Sequence, residues 1–172
     1  MLSKNPCIII LLNAAWKEYQ QDPCRITFSP MIRLLSLSDL VHLLDIEGRS
    51  FPKSPYDVAT FVSLHYLYPE TFWVHTGSDP EGRIQGYIVF SPDGHLISMA
   101  VLPEVRRKGI GRELLRKAMA YPGIRSLILE VRRSNTGAQA FYLRMGFEIR
   151  ETMPGYYGNE DAFIMVWSPL LR

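Results

Sequence analysis

Apolar and polar positions run through this chain in two rhythms, and the change from one to the other marks its elements. Residues 32–35 pattern as a first strand, and the Ser36-x-x-Asp39 spacing that follows is that of a capping box. Leu40, Val41, Leu44 and Glu47 continue at helical spacing, with Gly48 expected to end the run. Prolines at 52 and 55 make 51–55 a loop, and 56–67 reads as a second, apolar helix. Residues 71–76, 84–90 and 95–101 are rich in strand formers, with turns at 77–82 and at Ser91-Pro92-Asp93-Gly94, so they predict an antiparallel meander. Ile110, Leu114, Leu115, Ala118 and Met119 then form one apolar stripe of a helix. Residues 126–131 are almost continuously apolar, which predicts a centrally buried strand. A helix over 135–145, stopped by Gly146, and strands over 147–153 and 162–167 close the chain. The order β-α-α-β-β-β-α-β-α-β-β predicts an α/β fold in one domain, a mixed sheet with helices on its faces.

Composition narrows this little. The chain has 172 residues, 47% of them apolar and 21% charged, as a globular domain does. A net charge of +2 gives no reason to expect nucleic acid as a partner, so any anion site must be local. No apolar run approaches the roughly 20 residues of a membrane helix, and no membrane association is expected. The two cysteines, Cys7 and Cys24, have no metal-ligand spacing, and a reduced, cytoplasmic protein is the simplest expectation. The apolar run at 7–12 is short and lacks a cleavage site, so export is not expected. Residues 1–30 read as an extension of unknown role before a domain at 31–172, with Met31 as an alternative start.

The candidate chemistry begins at Arg106, Arg107, Lys108, Gly109, Ile110 and Gly111, a turn between strand and helix. A helix start offers unpaired N–H groups and the positive end of the dipole. The glycines let an anion approach the backbone, and Arg106, Arg107, Lys108 and Arg112 add cationic charge there. Those cations oppose the dipole unless an anion is bound, a local conflict that marks a site. The turn is neither a Walker loop nor a dinucleotide fingerprint. By itself it reads equally well as a solvated basic turn.

Two further features raise its meaning. Glu130 lies near the end of the apolar strand, where a carboxylate is expensive unless it faces a cleft or is paired, with Arg132 or Arg144 as candidate partners. Asn135 caps the next helix, and Tyr142 follows two turns on near the same face. The basic turn, with Glu130-Val131-Arg132, Asn135, Ala138, Phe141-Tyr142 and Gly146-Phe147, resembles the GNAT superfamily of N-acetyltransferases over residues 31–168. Residues 129–135, Tyr156-Tyr157 and Glu160-Asp161-Ala162 are most similar to the protein N-terminal acetyltransferases, especially the RimI-type ribosomal-protein alanine acetyltransferases.

The resemblance implies a mostly antiparallel sheet with about four helices, acetyl-CoA as co-substrate, and no metal. It implies that Met99, Ala100 and Val101 meet the pantetheine arm, that residues 106–112 hold the diphosphate, and that Asn135 and Tyr142 line the thiol end. Glu130 becomes the general base, Tyr142 the general acid, and Phe51, Pro52, Tyr156 and Tyr157 the walls of a peptide groove. The acceptor is then a protein or peptide N-terminus, that of a ribosomal protein among the candidates. Lys53 departs from the glutamate that some members carry after the loop proline. Acetylation of a small amine or a lysine side chain stands as an alternative, as does a non-catalytic acetyl-CoA-binding module. Tyr156 and Tyr157 read equally as plain sheet aromatics. His42, His65, His75 and His95 are expected to be non-functional, Trp16, Trp73 and Trp167 to be packing residues, and Glu113 to pair with Lys117 along its helix.

Overall fold

The computed structural model describes residues 31–77 and 82–169. The expectations for residues 1–30, with Cys7, Trp16 and Cys24, and for most of the 77–82 turn lie outside them. Strands β1 (Met31–Leu34), β2 (Phe72–Thr76), β3 (Ile84–Phe90) and β4 (Leu96–Val101) form an antiparallel sheet in that order. Strands β5 (Leu127–Arg132), β6 (Glu148–Met153) and β7 (Ala162–Trp167) form a second antiparallel sheet, with β7 central.

Helices α1 (Leu40–Ser50), α2 (Val58–Leu67), α3 (Ile110–Met119) and α4 (Thr136–Arg144) cover the sheets. Helix α1 runs through Gly48, correcting the expected stop; Gly48 has a negative φ and open space around it, so its last turn continues at modest cost. Asp57 caps α2, accepting from the Thr60 N–H at 2.8 Å.

The period-2 alternation of β2 and β3 sends side chains to two packed faces, so β2 is buried throughout and β3 at every position but Gln85. Phe72, Val74, Tyr87 and Val89 pack with Leu43, Ile46 and Phe61 under α1 and α2. Trp73, Ile88 and Phe90 pack with Leu114, Leu115, Leu127 and Met165 under α3. The first sheet is thus filled on both faces. Trp73 and Trp167 are packing residues. The expected Glu113–Lys117 pair is corrected: Glu113 faces His75 at 3.3 Å, and the Lys117 ammonium lies 5.1 Å over the Trp73 ring.

Two irregularities set the site. Val89 pairs with Ser98 and Phe90 with Leu96, so Ile97 is an extra residue that bulges β4. The two sheets meet through a parallel bridge between His95 and Ile128, where the Ile128 N–H donates to the Gly94 carbonyl at 2.9 Å. Beyond it, β4 and β5 pair with their own sheets and not with each other, leaving a wedge between the sheets.

The expectation of a centrally buried strand at 126–131 also needs correction. Leu127, Leu129 and Val131 enter the core, while Ile128 (38% exposed), Glu130 and Arg132 lie on the open face. The apolar run hides an ordinary one-sided strand. Strand β6 is exposed throughout and forms an edge, with Glu148, Arg150 and Glu151 along it as charges that discourage further pairing.

Candidate functional site

Alternation fixes which backbone groups of β4 face the wedge. The Leu102 N–H donates to the Gln85 carbonyl, toward β3. Ala100 therefore also turns its backbone to β3, and Met99 and Val101 turn theirs outward. The Val101 carbonyl is reached by Arg106 Nε at 3.0 Å. Arg106 also donates to Ser50 Oγ at 3.1 Å, and Arg49 grips Glu104 with two bonds of 3.0 and 2.7 Å. The end of α1 thereby tethers the chain entering the basic turn.

In that turn, Arg107 has φ +66° and Gly109 φ +98°. A left-handed arginine costs about 1–2 kcal/mol, a strain typical of sites where the backbone must present itself. Gly109 caps α3 without a side-chain hydrogen bond, so the first N–H groups of α3 stay open. Among the described residues, Arg107, Lys108 and Arg112 have no carboxylate at ion-pair distance, and the Arg112 guanidinium reaches back toward Gly109. The arrangement fits a diphosphate. A Cβ at Gly111 would stand 3.5 Å from Phe141 of α4, which locks the turn to the second sheet.

The structure places Glu130 on the open face of β5 with 18% of its side chain exposed. Its partner is His95, at 2.8 Å, and not Arg132 or Arg144. His95, expected to be non-functional, is thus hydrogen-bonded to this carboxylate. Arg132 pairs with Glu160 at 3.3 Å and lies 3.9 Å over the Tyr157 ring. Tyr157 donates to the Glu130 carbonyl at 3.4 Å and meets Tyr156 edge-on at 4.9 Å. Both tyrosines lie in the turn between β6 and β7, not within a strand, so the sheet-aromatic alternative is set aside. Burial and then the Glu130 charge raise the Tyr156 phenol above its usual range.

Tyr142 is 8% exposed and packs against Phe141 and Phe147. Burial, and secondly the nearby Tyr157 phenol, push its hydroxyl far above the ordinary tyrosine range, so it keeps its proton at neutral pH. Tyr157 thus neighbours both Glu130 and Tyr142. Asn135 accepts from the Ala138 N–H at 3.1 Å as the cap of α4.

Sequence reasoning missed a buried network on the other wall. Glu47, 2% exposed, accepts from the Tyr56 N–H at 3.1 Å and from the Tyr87 hydroxyl, which contacts Ser98 Oγ at 2.9 Å. Burial raises the Glu47 carboxyl above the usual range. The network ties the end of the 51–55 loop, through the Tyr56 N–H, to α1 and to β3 and β4. A signal was available, since Glu47 falls on the apolar stripe of α1 beside Leu43 and Ile46. Tyr56 faces the same region; burial, then Glu47, Tyr156 and Glu130, raise its phenol.

A wedge between two sheets, an open helix start beside it and a carboxylate across it make up the candidate site. The profile of the Acetyltransferase (GNAT) family matches residues 39–147, and the chain belongs to that family. It is 39% identical over 144 residues to an uncharacterized N-acetyltransferase of Methanocaldococcus jannaschii, covering 79% of this chain and 90% of that one. It is 31% identical over 154 residues to an N-alpha-acetyltransferase of Sulfurisphaera tokodaii, covering 78% and 90%. Among solved structures it is similar to the ribosomal-protein-S18-alanine N-acetyltransferase from Escherichia coli, with TM-score 0.70, 30% identity and coverage of 81% and 94%. No helix among the described residues is long and apolar enough to cross a membrane.

Proposed function

We propose that this enzyme moves the acetyl group of acetyl-CoA to the α-amino terminus of a protein or peptide. The observation that carries the reading is Glu130, held by His95 at 2.8 Å on the open face of β5 beside the aromatic cluster of Tyr56, Tyr156 and Tyr157. The relatives named N-alpha-acetyltransferase and ribosomal-protein-S18-alanine N-acetyltransferase support the choice of acceptor.

The α3 start, with Arg107, Lys108, Gly109, Ile110, Gly111 and Arg112, holds the diphosphate, and Arg106 keeps the turn in shape. The outward backbone of Met99 and Val101 receives the pantetheine arm as an added strand, and Asn135 and Tyr142 line its thiol end. Phe51, Pro52, Tyr156 and Tyr157 flank the acceptor. An α-amino group ionises at about 7.7–8.0, against about 10.4 for lysine, so a single carboxylate suffices to neutralise it. Glu130 takes the amine proton as nitrogen bonds to the thioester carbonyl carbon. The carbon–sulfur bond then breaks, and Tyr142 gives its proton to the leaving thiolate.

The test is thiol release from acetyl-CoA with peptides bearing a free α-amine, with the same peptides blocked at the α-amine but carrying an internal lysine, and with small polyamines. Turnover is expected with the first set; turnover confined to the others, or none, overturns the reading. In Arg107→Ala/Arg112→Ala, KM for acetyl-CoA should rise about 10- to 100-fold, two charge-assisted contacts being lost, while KM for the peptide holds. An unchanged KM for acetyl-CoA would remove the turn from cofactor binding.

A further inference from the structure

His75 is buried on β2, two residues from Trp73 and therefore on the same face of the sheet, beneath α3. Opposite it β3 carries Gly86, and a Cβ at Gly86 would meet Val101 Cγ2 at 3.2 Å and Ile110 Cγ2 at 3.3 Å. The ring thus lies beside the strand end and the helix start that the basic turn connects. Its Nε2 stands 3.3 Å from Glu113 Oε2; a carboxylate only accepts, so Nε2 donates. Its Nδ1 is buried and has no hydrogen-bond partner among the described residues. A buried polar atom without a partner costs stability. An apolar ring at this position avoids that cost, so what histidine adds here is the contact with Glu113.

Glu113 belongs to the first turn of α3, and helical side chains lean toward the start of their helix. Its Oε1 lies 3.7 Å from where a Cβ of Gly109 would be, and the Arg112 guanidinium lies 3.5 Å from the same point. Among the described residues Glu113 nevertheless pairs with neither Arg112 nor Lys117, and His75 alone holds it. A carboxylate so close to open N–H groups and unpaired cations is drawn to them for the same reasons as a bound anion.

We infer that His75 is a positioning residue for acetyl-CoA: by holding Glu113 it keeps a carboxylate of the chain itself from taking the place of the diphosphate at the start of α3. The inference rests on the reading of the basic turn as the diphosphate site and adds to it an internal competitor. His75 acts on the cofactor only through Glu113. Once released, Glu113 exchanges a single hydrogen bond for the helix dipole and the neighbouring cations. Competition of that strength corresponds to about 3- to 10-fold in affinity.

The experiment titrates coenzyme A into the full chain by calorimetry, with thermal melts to check that each variant folds. His75→Phe and His75→Ala, one filling the space of the ring and one emptying it, both lack the Nε2 donor. Each should raise Kd for coenzyme A about 3- to 10-fold. Glu113→Gln, without the charge, should bind at least as tightly as the wild type. In His75→Phe/Glu113→Gln and His75→Ala/Glu113→Gln the loss should vanish, because no competitor is left to release. A merely structural His75 gives the same loss in both backgrounds, and that result overturns the inference. So does an unchanged Kd in the single His75 variants when Arg107→Ala/Arg112→Ala weakens binding, and the diphosphate reading then stands. If Arg107→Ala/Arg112→Ala itself leaves Kd unchanged, the diphosphate reading fails and the inference falls with it.

Discussion

Glu130→Gln should lower kcat by about 10²- to 10⁴-fold, the usual contribution of a positioned general base, with KM for acetyl-CoA within about twofold of the wild type. The substitution is close to isosteric. Its amide oxygen can still accept from the His95 ring, so the 2.8 Å contact and the position of the side chain survive. Only the capacity to take a proton is removed. His95→Ala makes the complementary change: it leaves the carboxylate but releases it from its partner. A smaller loss, about 10-fold, is expected there, because one orienting hydrogen bond is worth roughly 1.5 kcal/mol. Steady-state kinetics on a good peptide acceptor, checked by circular dichroism for folding, separates the cases. Wild-type kcat in Glu130→Gln would remove the base assignment, and the role of His95 with it. Equal losses in the two variants would instead make the pair act as one unit.

The helix α3 was legible because its stripe of Ile110, Leu114, Leu115 and Ala118 faces one way while Arg112, Glu113, Arg116 and Lys117 face solvent. The basic turn was legible for a related reason: glycines and cations at a helix start have few other uses. Strand β5 was misjudged because an apolar residue on an open face, Ile128, erases the alternation that betrays a one-sided strand. Nothing local distinguishes it from a residue in the core. The partner of Glu130 was missed for a different cause. His95 lies 35 residues away, across a bridge that joins the sheets, and no periodicity carries information over that distance. Glu47 and Tyr87 are likewise 40 residues apart. Elements and turns are written locally, whereas pairings across the wedge follow from how two sheets meet. The residues that hold the site open therefore emerge only with the fold.

Gly94→Ala should cause the largest loss of stability, because Gly94 is where the two sheets meet. Its φ is +103°, and a Cβ there would sit 2.1 Å from the Ser126 carbonyl oxygen. That contact is with backbone, so no side chain can swing aside; the hairpin must retreat from β5. Retreat breaks the Ile128 N–H bond to the Gly94 carbonyl and the His95–Ile128 bridge. Left-handed strain alone costs about 1–2 kcal/mol. The lost bond and displaced strands bring the expected total to about 3–5 kcal/mol, a large share of the roughly 5–15 kcal/mol that holds such a domain together. Gly123→Ala is the control, since Gly123 has φ +90° and open space around it. It should show the strain without the collision, about 1–2 kcal/mol. Urea denaturation of both variants measures the difference, and equal midpoints would mean that the close approach at Ser126 carries no weight. The same retreat moves His95 away from Glu130 and alters the wedge between β4 and β5. Gly94→Ala should accordingly lose acetyl-CoA affinity and turnover together even at temperatures where it remains folded, whereas Gly123→Ala keeps both.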